Sequence, residues 1–66
     1  MTVEEIRTRV ARIAAEADDD ESAHLHEDGL HQDVLRAIAS GDCADPAASA
    51  EAALQTQEIR FARWCA

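Results

Sequence analysis

Apolar residues near the start of the chain recur at alternating steps of three and four: Val3, Ile6, Val10, Ile13 and Ala17. That is the period of one buried helix face, and it predicts a helix over about residues 2–17. Thr2 and Glu5 stand at capping-box spacing. Glu5 with Arg9 and Arg12 with Glu16 are i,i+4 pairs on its solvated side. The same apolar positions also spell a two-heptad coiled-coil seam. Core packing is the preferred reading, because a coiled coil is argued only from three or four heptads.

The run Asp18-Asp19-Asp20 ends the first helix and opens the second, since aspartate is poor within a helix and good as an N-cap. Asp18 and Glu21 repeat the capping spacing. The second helix is predicted over about 20–40, with Gly41 as its stop. Its apolar stripe, Leu30, Val34, Leu35 and Ile38, fills only the second half. Gly29 sits inside it at a cost of up to about 1 kcal/mol relative to alanine, which points to a kink or a close helix crossing. Asp45 and Pro46 then form an N-cap followed by a first-turn proline, so a third helix is predicted over about 46–58. Its face reads Ala47, Ala50, Ala53 and Leu54. The tail from Ile59 holds both aromatic residues, and Phe61 and Trp64 are expected to fold back over helices two and three. The fold class expected is all-α: a single compact three-helix domain spanning residues 1–66, with no strand.

Composition sharpens this picture. Sixty-six residues are close to the lower limit for a chain that folds unaided, and fifteen of them are alanines. Alanine favours helix but buries little area, so the core is expected to be thin and homodimerisation becomes an open alternative. The formal net charge is −8, with fourteen acids, six arginines and no lysine. Residues 18–33 hold seven of those acids and no arginine. Such a block repels a phosphate backbone or an anionic membrane; it suits solubility or a basic partner. No apolar run approaches the roughly 20 residues that span a bilayer. The first residues are amphipathic, unlike a secretory signal. The expected location is the cytoplasm, with Cys43 and Cys65 reduced; a bridge between them is the alternative.

Candidate chemistry is confined to the second helix, which carries Glu21, His24, His26, Glu27, Asp28 and His31. At 100° per residue, His24, Glu27 and His31 fall within about 60° of one another, extending the apolar stripe as a polar ladder. His26 points away. Three readings follow. The preferred one is structural: a carboxylate and two imidazoles in satisfied hydrogen bonds at a core edge or subunit interface. The second is a metal site drawn from Glu21, His24, Glu27 and His31, since Glu21-x-x-His24 has the spacing of carboxylate-bridged iron in helical bundles. That reading needs glutamates from other helices, and Glu4, Glu5, Glu16, Glu51 and Glu58 look mostly solvated. The third is a pH-sensitive contact.

Other chemistries find no support in the spacing. A metalloprotease motif would place its second histidine at Leu30. An EF-hand counted from Asp18 would need its glycine at Ala23 and its last glutamate at Gly29. Neither cysteine has a Cys-x-x-Cys partner, and two glycines cannot make a phosphate loop. No catalytic residue and no cofactor is expected.

The stretch Ala23-His24, Glu27-Asp28, Leu30, Val34-Leu35, Ile38-Ala39 and Gly41, followed by the ending Phe61-Ala62-Arg63-Trp64-Cys65-Ala66, resembles small helical proteins of high-GC actinobacteria and their phages. The likeness covers about residues 20–66. No activity is assigned to that group, so it carries over no site residue; it implies a cytoplasmic, phage-related accessory protein. The expected function is a small acidic, non-enzymatic interaction module that binds a protein partner or itself. A His/Glu metal protein and an acidic decoy of a basic host protein are the alternatives.

Overall fold

The computed structural model describes residues 1–63, and they form three helices with no strand among them. Helix α1 spans Val3–Ala15, α2 Asp20–Ser40 and α3 Pro46–Leu54; a single 3-10 turn, Gln55–Glu58, follows directly. Each helix packs on the other two, giving a body with principal extents of 33 × 19 × 14 Å.

The local signals act largely as their chemistry requires. The Thr2 hydroxyl accepts from the Glu5 amide at 3.2 Å, which satisfies one of the free N–H groups of the first turn. Helix α1 stops two residues before the expected end. Glu16 N–H bonds back to Arg12 and Ile13, and Ala17 N–H to Ala14, so the last turn tightens ahead of the aspartates. The cap of α2 is Asp19 rather than Asp18, and its carboxylate accepts from the Ser22 amide at 3.2 Å and the Ser22 hydroxyl at 3.1 Å. Helix α2 passes unbroken through Gly29. No other backbone lies within 4 Å of that position: a Cβ there would meet only the Arg9 Nη2, at 3.8 Å. Gly41, at φ 80°, ends the helix in the left-handed conformation that glycine adopts without penalty.

Helix α3 starts as expected, with the Asp45 carboxylate accepting from Ala48 N–H at 3.1 Å. It is shorter than its sequence suggests, because residues 55–58 tighten into the 3-10 turn. Its buried face is also different. Ser49, Ala52 and Ala53 point inward, with Thr56 one turn further on, while Ala47 and Leu54 are exposed. Three small side chains leave α3 close to its neighbours and add little volume. The core is accordingly Ile6 and Ile13 from α1, Ala23, Leu30 and Val34 from α2, and Ala52 and Ala53 from α3.

Met1, Val3, Val10, Ile59 and Phe61 pack around that core half-buried. Phe61 is one of these, whereas Trp64, and the pairing of Cys43 with Cys65, lie outside the described residues. The Cys43 thiol donates to the buried Ser49 hydroxyl at 3.1 Å. The chain start is tied to the α2–α3 connection, where Met1 N donates to the Asp42 carbonyl at 2.6 Å.

Candidate functional site

Two features stand out against this frame: the polar cluster in the first half of α2, and an apolar groove beside its second half.

Within the cluster, Glu27 is almost fully buried, and a buried carboxylate needs a cation or several donors. Arg63 supplies them. Its Nε reaches Glu27 Oε1 at 2.7 Å and its Nη2 reaches Oε2 at 3.0 Å, the two-pronged geometry that suits guanidinium to carboxylate. Arg63 Nη2 also donates to the carbonyls of Thr56 at 2.8 Å and Ile59 at 3.1 Å, and the guanidinium lies 3.8 Å from the Phe61 ring centre. Burial alone pushes the Glu27 carboxyl up; hydrogen bonds from Arg63 and Thr56, with the charges of Arg63 and His31, outweigh it and hold Glu27 below the usual glutamate range. The reciprocal hydrogen bond raises Arg63.

The other members of the expected cluster go separate ways. His31 Nε2 meets the Thr56 hydroxyl at 3.0 Å and the Ala53 carbonyl at 3.3 Å, tying α2 to the end of α3. His24 is buried, with Asp28 at 3.4 Å one turn along. Glu21 is exposed. His26, as expected, points elsewhere and pairs with Glu16 of α1. So His24, Glu27 and His31 do share the inward side of one continuous helix, but the glutamate is bound to an arginine rather than to the imidazoles. No group of three or more His, Cys, Asp or Glu side chains among the described residues is arranged to hold a metal ion. The pairs expected along α1 are likewise replaced by contacts between helices, with Arg9 bonding Asp33 at 2.8 Å.

Sequence reasoning missed Arg63, Thr56 and Ser49. A signal for the first was present. An inward-facing glutamate demands a cation from another element, lysine is absent, and Arg60 and Arg63 are the only arginines after Arg36. Thr56 and Ser49 gave no comparable sign, since short hydroxyl residues read as solvated on an alanine-rich helix.

The groove lies between α2 and α3. His31, Val34, Leu35 and Ile38 form one wall and Ala50, Ala53 and Leu54 the other, around a volume of about 220 Å³. The first set follows the i, i+3, i+4, i+7 spacing of a single helix face. Leu35 and Leu54 are 66% and 59% exposed, and Ile38 is also exposed. The sequence stripe of Leu30, Val34, Leu35 and Ile38 is therefore split. Leu30 and Val34 enter the core while Leu35 and Ile38, at the rim of the groove that α3 borders, stay exposed.

No protein-family model matches the chain, and no curated protein or solved structure matches it.

Proposed function

We infer that this protein is a non-enzymatic interaction module whose docking surface is the α2–α3 groove, and that its ligand is an apolar protein surface with protruding aliphatic side chains. The observation that carries this reading is the exposure of Leu35, Ile38 and Leu54 side by side around an apolar hollow. Isolated exposed leucines are ordinary, but a contiguous set lining a concave site is the usual mark of a protein contact. Covering a side chain of this kind fully stabilises a complex by about 1.5–3 kcal/mol.

The polar cluster supports the same reading by what it is used for. Both Glu27 oxygens, and the Arg63 fork that meets them, serve to pin the tail onto α2. With both oxygens held in this way, Glu27 is not free to serve as a general acid or base. Nucleic acid is a poor ligand for a chain of net charge −8. Among the described residues no helix is long and apolar enough to cross a membrane.

The test compares three forms of the chain as bait: the natural sequence, Leu35→Glu, and Leu25→Glu, the last altering an exposed leucine outside the groove. A protein retained by the natural chain and Leu25→Glu but lost with Leu35→Glu supports the module. Retention by all three counts against it.

A further inference from the structure

We propose that the occupant of the α2–α3 groove is a second copy of this chain, docked with the two α2 helices antiparallel about a two-fold axis near Leu35 and Ile38; this rests on the interaction-module reading above.

Shape is the first argument. The face carries both parts of a self-complementary contact: the protruding side chains of Leu35 and Leu54, and the hollow between them floored by small Ala50 and Ala53. A two-fold axis brings each copy's protrusions to the other's hollow with the same residues on both sides, as an isologous interface requires. No second molecule with a matching surface has to be invoked.

Charge selects the same face and the orientation. On a chain of net charge −8, none of the residues lining the groove is an acid or an arginine, and the stretches they span, 31–38 and 50–54, carry Asp33, Arg36 and Glu51. Two like-charged copies can meet there without setting acids against acids. The run Asp18–Glu21 with Glu27 and Asp28 lies at the other end of α2. In a parallel pairing those runs would abut. In an antiparallel pairing they point away from each other and lie roughly 35 Å apart at 1.5 Å per residue, several screening lengths at physiological salt. The helix dipoles also oppose favourably in that arrangement.

Sedimentation velocity across about 1 μM to 1 mM protein tests the proposal, with circular dichroism on each variant to confirm folding. The natural chain should pass from one to two times its 7.2 kDa mass, with little dependence on salt between about 50 and 500 mM, well beyond the range where exposed charges are unscreened. Leu35→Glu and Leu54→Glu should each weaken association by about 30-fold or more, the loss expected at a central anchor, and Leu25→Glu should leave it unchanged. Leu35→Ser gives the same reading should the charged variants unfold. A chain that stays monomeric throughout overturns the proposal, as does a dimer broken by Leu25→Glu and not by the groove variants. A monomer that dimerises only after removal of residues 64–66 also overturns it, because the chain's own end then fills the groove. Titration with 8-anilinonaphthalene-1-sulfonate separates the two readings. A monomer whose probe binding is lost in Leu35→Glu retains the docking surface and loses only the second copy; a monomer with no such binding loses both.

Discussion

Arg63 grips Glu27 through both carboxylate oxygens, at 2.7 and 3.0 Å, across thirty-six positions of sequence. One contact therefore joins the end of the described chain to the middle of its longest helix. The Glu27 side chain is 4% exposed and that of Arg63 29%, so the carboxylate sits in the interior and the guanidinium closes over it. Removing the cation leaves a buried charge without a partner, which is more costly than losing a surface pair. Arg63→Ala should destabilise the protein by about 1–3 kcal/mol, the cost of an unsatisfied buried group tempered by the partial exposure of the arginine. It should also free the tail, so that trypsin cuts after Arg60 faster than in the natural chain. Urea denaturation and timed proteolysis check both; unchanged values for both would show the contact to be incidental.

The same pair makes stability depend on acid in a defined direction. Folding holds the Glu27 carboxyl below its ordinary value of 4.5, so the unfolded chain takes up this proton first as pH falls. The contribution is therefore fully present above the ordinary value and is lost as pH drops through the lowered folded value. Thermal unfolding followed from pH 7 down to about pH 3 should show the natural chain losing stability faster than Arg63→Ala, with the two curves converging at the acid end. Parallel curves would mean that Glu27 does not titrate against Arg63.

The two glycines should respond to alanine with opposite signs. Gly29 lies within α2 and nothing nearer than 3.8 Å would meet a new Cβ, so Gly29→Ala should stabilise the fold by up to about 1 kcal/mol through helix propensity and a less flexible unfolded chain. Gly41 has open space around it but holds φ at 80°, a region that costs an L-residue about 1–2 kcal/mol. Gly41→Ala should lower the melting temperature while Gly29→Ala raises it. Changes of the same sign at both sites would contradict this account.

The glycines also show what the sequence could and could not reveal. Caps, stops and the apolar face of α1 depend on neighbours within four residues, and Thr2, Asp45, Pro46 and Gly41 act as their local chemistry predicts. What was not legible depends on contacts made far along the chain. Periodicity placed Leu30, Val34, Leu35 and Ile38 on one stripe, but where α3 packs against α2 decides which of them are covered. The inward turn of His24, Glu27 and His31 was likewise readable from helix period. The partners of Glu27 and His31 were not, since Arg63 and Thr56 reach them from the opposite end of the chain.

Occupation of both Glu27 oxygens bears on metal binding. A divalent ion drawn to Glu21, His24, Glu27 and His31 would have to displace the Arg63 fork and then find imidazole nitrogens, of which His31 Nε2 is already engaged by Thr56 and Ala53. Zinc or iron at a few equivalents, and separately a chelator, should leave the melting temperature unchanged, because a ligand stabilises only in proportion to its preference for the folded state. A rise in melting temperature that grows with zinc concentration and disappears in His31→Ala would establish a site there instead.

Thr56 is the quietest residue of the cluster and offers the sharpest test of its satisfaction. It is fully buried, its hydroxyl donates to the Ala53 carbonyl at 3.1 Å, and it stands 3.0 Å from His31 Nε2. Thr56→Val keeps the shape and removes the hydroxyl, leaving His31 with only the longer contact to the Ala53 carbonyl. A buried polar group deprived of its partner costs about 1–3 kcal/mol, so the valine variant should be destabilised by that amount. Thr56→Ser keeps the hydroxyl and loses one methyl, a change of about 1 kcal/mol. The ordering decides between polar satisfaction and packing: serine above valine in urea midpoint supports the network, whereas valine equal to or above the natural chain would show that the hydroxyl contributes nothing and that shape alone holds the end of α3 against α2.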